Sequence, residues 1–193
     1  MSHTHSYPQS VQLHLPAWLP DFLARVPASL DSPEERMRVA ISLAEMNVAN
    51  GSGGPFGAIV VTAGSGRLVA AGVNRVEPAS CSSAHAEILA LSLAQQRLGS
   101  ASLSNTPLGP LELVTSCEPC AMCLGAIPWS GVASVLCGAT KADVEAVGFD
   151  EGDRTEDWIE QLARRGILVH TGILRQAAAE VLTRYARSGG SIY

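Results

Sequence analysis

His85, Glu87, Cys120 and Cys123 are the residues of this chain whose types and spacing can do chemistry. One imidazole and two thiolates supply three ligands to a zinc ion and leave its fourth position open for water. That open position marks a catalytic rather than a structural metal site. Glu87, two residues beyond His85, is a carboxylate placed to carry protons to and from that water. Cys120 and Cys123 stand three residues apart, so a helix puts both on one face, where they converge on one ion. Pro119 is expected in the first turn of that helix, where its missing N–H is no loss. A helix N-terminus also favours negative charge and helps keep both thiols ionised, the form that binds metal. His85 and Glu87 do not share a helix face, and they meet at one site if His85 lies at or before a helix start. The preceding Ser82-Ser83 and the apolar spacing of Ile88, Leu91, Ala94 and Leu98 fit such a start.

Each residue has a plainer reading on its own. Cys120-x-x-Cys123 alone is a redox pair or half of a structural zinc finger. His85 alone is an ordinary histidine, and Glu87 alone a solvated helix residue. A redox pair has no use for His85 and Glu87, and a structural zinc wants a fourth ligand. Cys117 is the nearest candidate for that ligand, but it is expected to end the preceding strand rather than join the helix.

The elements that must position these residues can be read from the pattern. At 193 residues the chain is most simply one domain: an N-terminal extension over residues 1–30 and a core over residues 31–193. Four prolines, Pro8, Pro16, Pro20 and Pro27, mark the extension, with one short helix expected near Trp18–Val26. Asp31-Ser32-Pro33-Glu34 opens the first core helix, whose apolar face is Met37, Ala40, Ile41, Ala44 and Val48. Ala58–Thr62 and Leu68–Val73 read as strands joined by a Gly64-Ser65-Gly66 turn. Leu111–Ser116, Ala133–Gly138 and Ile167–Thr171 are three further strands. Leu174, Ala177, Ala178, Val181, Leu182 and Tyr185 repeat at helical spacing. Strands alternating with helices predict an α/β domain with helices on both sides of one sheet.

Composition excludes some partners. The longest apolar runs fall short of a bilayer span, so no membrane is expected. A net charge of −5, with no stripe of Lys and Arg, counts against a nucleic-acid partner. Residues 1–6 lack the basic and apolar segments of a secretory signal. Five cysteines, three of them at the motif, suit a reducing cytoplasm better than a disulfide scaffold. Cys81 and Cys137 read as packed or free thiols.

His-x-Glu followed by Pro-Cys-x-x-Cys is a zinc deaminase signature, and longer blocks extend the likeness. Gly54-Pro55-Phe56-Gly57-Ala58, Ala84-His85-Ala86-Glu87, Thr115 through Ile127 and Gly148-Phe149-Asp150-Glu151 resemble the cytidine deaminase-like superfamily and, within it, the bacterial guanine deaminases. The resemblance implies a three-layer α/β/α fold around a five-stranded mixed sheet, one zinc ion per subunit and a homodimer. It assigns His85, Cys120 and Cys123 to zinc and Glu87 to proton transfer. Asn74 and the backbone N–H of Ala86 would hold the base, and Phe56, Phe149 and Trp129 would wall the pocket. Glu151 matches an acidic residue, usually Asp, near the reacting amine, and Tyr193 a tail residue that closes the site. Pro128 stands where these enzymes usually have Tyr, and the extension and the added strand and helix after Glu151 are further departures. Without the resemblance, Phe56, Phe149 and Trp129 are core aromatics, Asn74 a turn residue, Glu151 part of a solvated loop and Tyr193 a chain end.

The implied reaction is hydrolytic deamination of a small nucleobase, guanine giving xanthine and ammonia. Glu87 would carry the proton from water to the ring nitrogen, with Glu151 beside it for the departing amine. Cytosine or an amino-triazine carries the same amino–amidine edge. A tRNA adenosine deaminase shares the motif but wants a basic surface, and a non-catalytic zinc module has no use for Glu87.

Overall fold

Ser32 opens the first long helix by a reciprocal cap. Its hydroxyl accepts from the Glu35 N–H, and the Glu35 carboxylate returns to the Ser32 N–H, with Pro33 at the first helical position. The computed structural model describes residues 10–192. Over them the elements run α1 (Leu19–Leu23), α2 (Pro33–Ala49), β1 (Gly57–Thr62), β2 (Leu68–Val73), α3 (Val76–Ala79), α4 (Ala86–Leu98) and β3 (Leu111–Cys117). They continue with α5 (Ala121–Ser130), β4 (Ser134–Ala139), α6 (Lys141–Glu145), α7 (Trp158–Ala163), β5 (Leu168–His170) and α8 (Arg175–Arg187).

The sheet order is β2-β1-β3-β4-β5. β1 pairs antiparallel with both neighbours, while β3, β4 and β5 run parallel, so the sheet is mixed as the resemblance implied. Every residue of β1, β3 and β4 is buried, which is why β1 and β4 read as largely apolar runs; in β3 the buried Glu112 is paired with Arg36. Ile59, Val61, Val114 and Leu136 pack with α2 and α8 on one face. Val60, Leu113, Val135 and Cys137 pack with residues of α4, α5 and α7 on the other. Leu19 and Leu30 are buried in the first of these cores, so the described part of residues 1–30 lies against the domain. No helix among the described residues is long and apolar enough to cross a membrane.

Some boundaries differ from expectation. α1 stops at Leu23, because the chain beyond it tightens into i→i+3 bonds from Arg25 to Phe22 and from Val26 to Leu23. β5 keeps only three residues at the sheet edge, where a short strand resists pairing with other chains. The short helices α3, α6 and α7 were not anticipated. α6 has a legible signal, since Thr140 and Asp143 cap it reciprocally.

Candidate active site

His85 is the N-cap of α4, with an extended backbone, and Glu87 sits in that helix's first turn. This is how two residues that cannot share a helix face still meet at one place: one is outside the helix and the other inside. Cys120 is likewise the N-cap of α5, and Cys123 its third helical residue. N-cap and third positions are close enough for side chains to meet, as every capping box demonstrates. Pro119 therefore lies one residue before the cap, not in the first turn. Cys120 needs extended dihedrals to turn its sulfur toward Cys123, and that moves the helix start past the proline.

The three candidate ligands converge. The Sγ atoms of Cys120 and Cys123 each lie 3.6 Å from His85 Nδ1, and all three ligand atoms fall within 4.8 Å of one another. Ligands at ordinary Zn–N and Zn–S bond lengths around a tetrahedral centre stand about 3.5 Å apart. The donor set and its spacing thus fit zinc. Cys123 hydrogen-bonds Cys120 and, against the effect of burial and together with His85, depresses the Cys120 thiol to about 4, while the thiol of Cys123 is pushed up. Both sulfurs must be thiolates to bind a metal, so binding displaces any proton they carry. Cys117 is buried at the end of β3 in the core on the α2 side and stands apart from this cluster.

A pocket of about 230 Å³ opens on the cluster, lined by Phe56, Val76, Ser82, His85, Glu87, Glu118, Cys120, Phe149, Asp150 and Glu151. Phe56 and Phe149 meet edge to face at 5.0 Å, and Phe149 stacks on Tyr185 at 6.1 Å, so the apolar wall is anchored in α8. Burial raises the Glu87 carboxyl, opposed by His85 and reinforced by Cys120. Burial also acts to lower His85, but the Cys120 hydrogen bond and the Glu87 charge outweigh it and raise the imidazole. Glu151 is raised to about 8, first by burial and then by the charges of Cys120 and Glu87. Its Oε2 is buried without a hydrogen-bond partner among the described residues, and Glu151 lines the pocket.

Asn74 is 1% exposed and is not itself a lining residue, though both Phe56 and Val76 line the pocket. Its N–H donates to the Phe56 carbonyl and its Oδ1 accepts from the Val76 N–H. Ala86 is the first residue of α4, where helix N–H groups have no intrahelical acceptor and face outward. Trp129 departs from expectation. It is 85% exposed on α5 and borders a separate surface groove with Pro128, Asp153 and Arg165, so within one chain it does not wall the pocket. The helical phase explains this: Cys123 and Ile127 take α5's buried side, and Trp129 falls on the opposite one. Tyr193 lies outside the described residues.

Two further residues organise the site. The Glu118 Oε2 accepts from Arg154 Nη2 at 2.7 Å and from the Lys141 N–H at 3.0 Å. Arg154 also donates to the Pro119 carbonyl, and the Glu151 carbonyl accepts from the Ala121 N–H. These bonds tie the 150–154 loop to the entry of α5 and set Glu151 beside Cys120. Neither was singled out from the sequence: Glu118 lay inside the Cys-Glu-Pro-Cys motif, which was the signal available for it, and nothing in the acidic stretch around Arg154 marks that residue out.

The sequence profile of the cytidine and deoxycytidylate deaminase zinc-binding region matches residues 30–139. Guanine deaminase from Bacillus subtilis is 40% identical over 118 residues, 61% of this chain and 71% of that protein. The crystal structure of guanine deaminase from Nitrosomonas europaea is 49% identical, with a TM-score of 0.88 over 94% of this chain and 99% of that one. NE0047 in complex with 2,6-diaminopurine is 50% identical, with a TM-score of 0.89 over 95% and 96%. Mutants of NE0047 carrying Asn→Ala and Glu→Asp substitutions have been solved with 8-azaguanine, and those two positions are as far apart as Asn74 and Glu151 are here. By profile, fold and pairwise identity, this chain belongs to the cytidine and deoxycytidylate deaminase zinc-binding family.

Proposed function

We propose that this protein is a zinc-dependent guanine deaminase, hydrolysing guanine to xanthine and ammonia. The observation that carries the reading is one small pocket holding a His-Cys-Cys metal cluster, two buried carboxyls, Glu87 and Glu151, and an edge-to-face aromatic wall. The relatives, which include a guanine deaminase and complexes with purine analogues, agree with it.

His85, Cys120 and Cys123 would hold the zinc, which supplies the Lewis acidity that makes water nucleophilic at neutral pH. The chain's own groups do the rest. Phe56 and Phe149, packed edge to face on each other, form one apolar wall against the heterocycle and exclude water. The Ala86 N–H, at a helix start, meets the ring carbonyl, and Asn74, as donor and acceptor, suits the purine edge. Glu87 accepts a proton as water attacks C2 and returns it to the adjacent ring nitrogen. Its raised carboxyl suits both directions of transfer. Glu151 offers its Oε2, which has no partner among the described residues, to the exocyclic amine. The proton left on the C2 hydroxyl passes to that amine, the C2–N bond breaks, ammonia leaves and the C2 oxygen becomes the carbonyl of xanthine. Selectivity follows from pairing, because an analogue that leaves these buried groups unmatched binds poorly.

The reading includes a homodimer and a reducing cytoplasm. Supporting the latter, all five cysteines are free thiols in the fold. Ammonia release by the zinc-loaded protein from guanine, guanosine, cytosine, cytidine, adenine and amino-triazines tests the substrate. Turnover of guanine with little of the nucleosides or cytosine is expected; silence on guanine overturns the reading.

A further inference from the structure

Asn47, in the last turn of α2, is fully buried, and its amide is engaged by the loop that follows and by Asn74 after β2. Its Nδ2 donates to the carbonyls of Gly54 and Asn74, at 2.8 Å each. Its Oδ1 accepts from the Ser52 hydroxyl at 2.8 Å. That hydroxyl accepts in turn from the Trp18 indole N–H at 3.0 Å. Trp18 immediately precedes α1 and stands edge-on to Phe22 at 6.0 Å, so the chain of bonds begins in the N-terminal extension. Arg75 doubles it: Nε donates to the His14 carbonyl and Nη1 to the Ser52 carbonyl. The loop is pressed hard onto Asn74. Gly53 has φ +155°, and a Cβ there would lie 2.0 Å from the Asn74 carbonyl oxygen.

We infer that Trp18, Ser52 and Asn47 form a strap that fixes Asn74, so that the N-terminal segment belongs to the substrate-reading apparatus. The inference rests on the reading that Asn74 binds the base. Asn74 is then held at three points: its N–H by Phe56, its carbonyl by Asn47, and its Oδ1 by the Val76 N–H. A hydrogen-bond network of this kind, centred on the buried Asn47 and Asn74, favours one arrangement. Its worth to the enzyme is that Asn74 need not be ordered when substrate arrives. Trp18 and Ser52 touch no part of the pocket, so they act through Asn74 and are positioning residues.

The test uses the zinc-loaded full chain with guanine. Trp18→Phe keeps an aromatic ring and loses the indole N–H; Ser52→Ala removes the bridging hydroxyl. Asn47→Ala is avoided, because it leaves two buried carbonyls unpaired and tests folding instead. Each gentle variant is expected to raise KM about fivefold while kcat stays within about twofold, with zinc content unchanged. In an Asn74→Ala background the same substitutions are expected to leave KM where Asn74→Ala alone puts it. A further, additive rise in that background, or no change of KM in either single variant, overturns the strap. If Asn74→Ala by itself leaves KM unchanged, the role of Asn74 in binding the base is what fails, and that arm reads separately from the others.

Discussion

Gly72 on β2 lies directly against the carbonyl of Ala86, so closely that a Cβ at Gly72 would come within 2.2 Å of that oxygen and 2.6 Å of the Ala90 nitrogen. Both obstacles are helix backbone and cannot rotate away. The absence of a side chain on β2 is thus what seats the first turn of α4, which carries His85 and Glu87, on the sheet. Replacing Gly by Ala in a strand ordinarily gains about 0.5–1 kcal/mol, but forced overpacking costs about 1–3 kcal/mol, and here the second effect wins. Gly72→Ala is expected to lower the melting temperature and to cut kcat/KM about 100-fold, since displacement of about 1 Å is enough for that. Gly64→Ala, where a Cβ meets nothing within 4 Å, is the matched control. Equal activity in the two variants would refute the seating argument.

Glu87 is 6% exposed and bordered by the candidate ligands, so its replacement separates metal binding from proton transfer. Glu87→Gln keeps the shape and loses the transferable proton. It is expected to keep one zinc per chain, to retain the wild-type fold by circular dichroism, and to lose about 10²- to 10⁴-fold in kcat. Full activity in a zinc-loaded Glu87→Gln protein would remove Glu87 from the mechanism.

What was legible in the sequence and what was not divides along physical lines. The metal cluster was legible because caps and short spacings are local: His85-x-Glu87 and Cys120-x-x-Cys123 each report a single helix start. The sheet was legible because its central strands are short and mostly apolar, with the polar exceptions Glu112, Thr115 and Ser116 buried in β3. Trp129 was placed on the pocket wall by the resemblance alone, and the phase of α5 turns it to solvent within this chain. Gly72, Asn47 and Arg154 were invisible for a different reason. Each acts across a gap in sequence, on Ala86, Asn74 and Glu118, and ordinary residue types at ordinary positions carry no sign of such partners.

Cys117 decides between a catalytic and a structural metal. Its even spacing with Cys120 and Cys123 made it the nearest fourth ligand, yet it is buried in the core that contains Leu136, Ala139 and Phe149. The ligand atoms that lie within 4.8 Å of one another are those of His85, Cys120 and Cys123, and Cys117 is outside that group. Cys117→Ala is expected to keep one zinc per chain by atomic absorption and to lose about 1–2 kcal/mol of stability, as a small core truncation does. Loss of zinc would make the site four-liganded and closed.

Glu151 predicts a pH dependence with a definite sign. Its carboxyl is raised from an ordinary 4.5 to about 8 in the folded chain, by burial and then by the charges of Cys120 and Glu87, against the pull of Arg154. Between those two values the folded state keeps a proton that the unfolded state has released. Folding is therefore favoured at the acid end of the window, and that advantage is lost as pH rises toward 8. Glu151→Gln keeps the volume and cannot ionise, so it deletes this dependence. In chelated protein, the melting temperature of the variant relative to wild type is expected to rise steadily from pH 5 to pH 8. A difference that stays flat over that range would mean Glu151 is ionised throughout, leaving it no proton to hold near neutrality. In zinc-loaded protein the same variant is expected to lose about 10- to 100-fold in kcat, less than Glu87→Gln, because only the second proton transfer is affected.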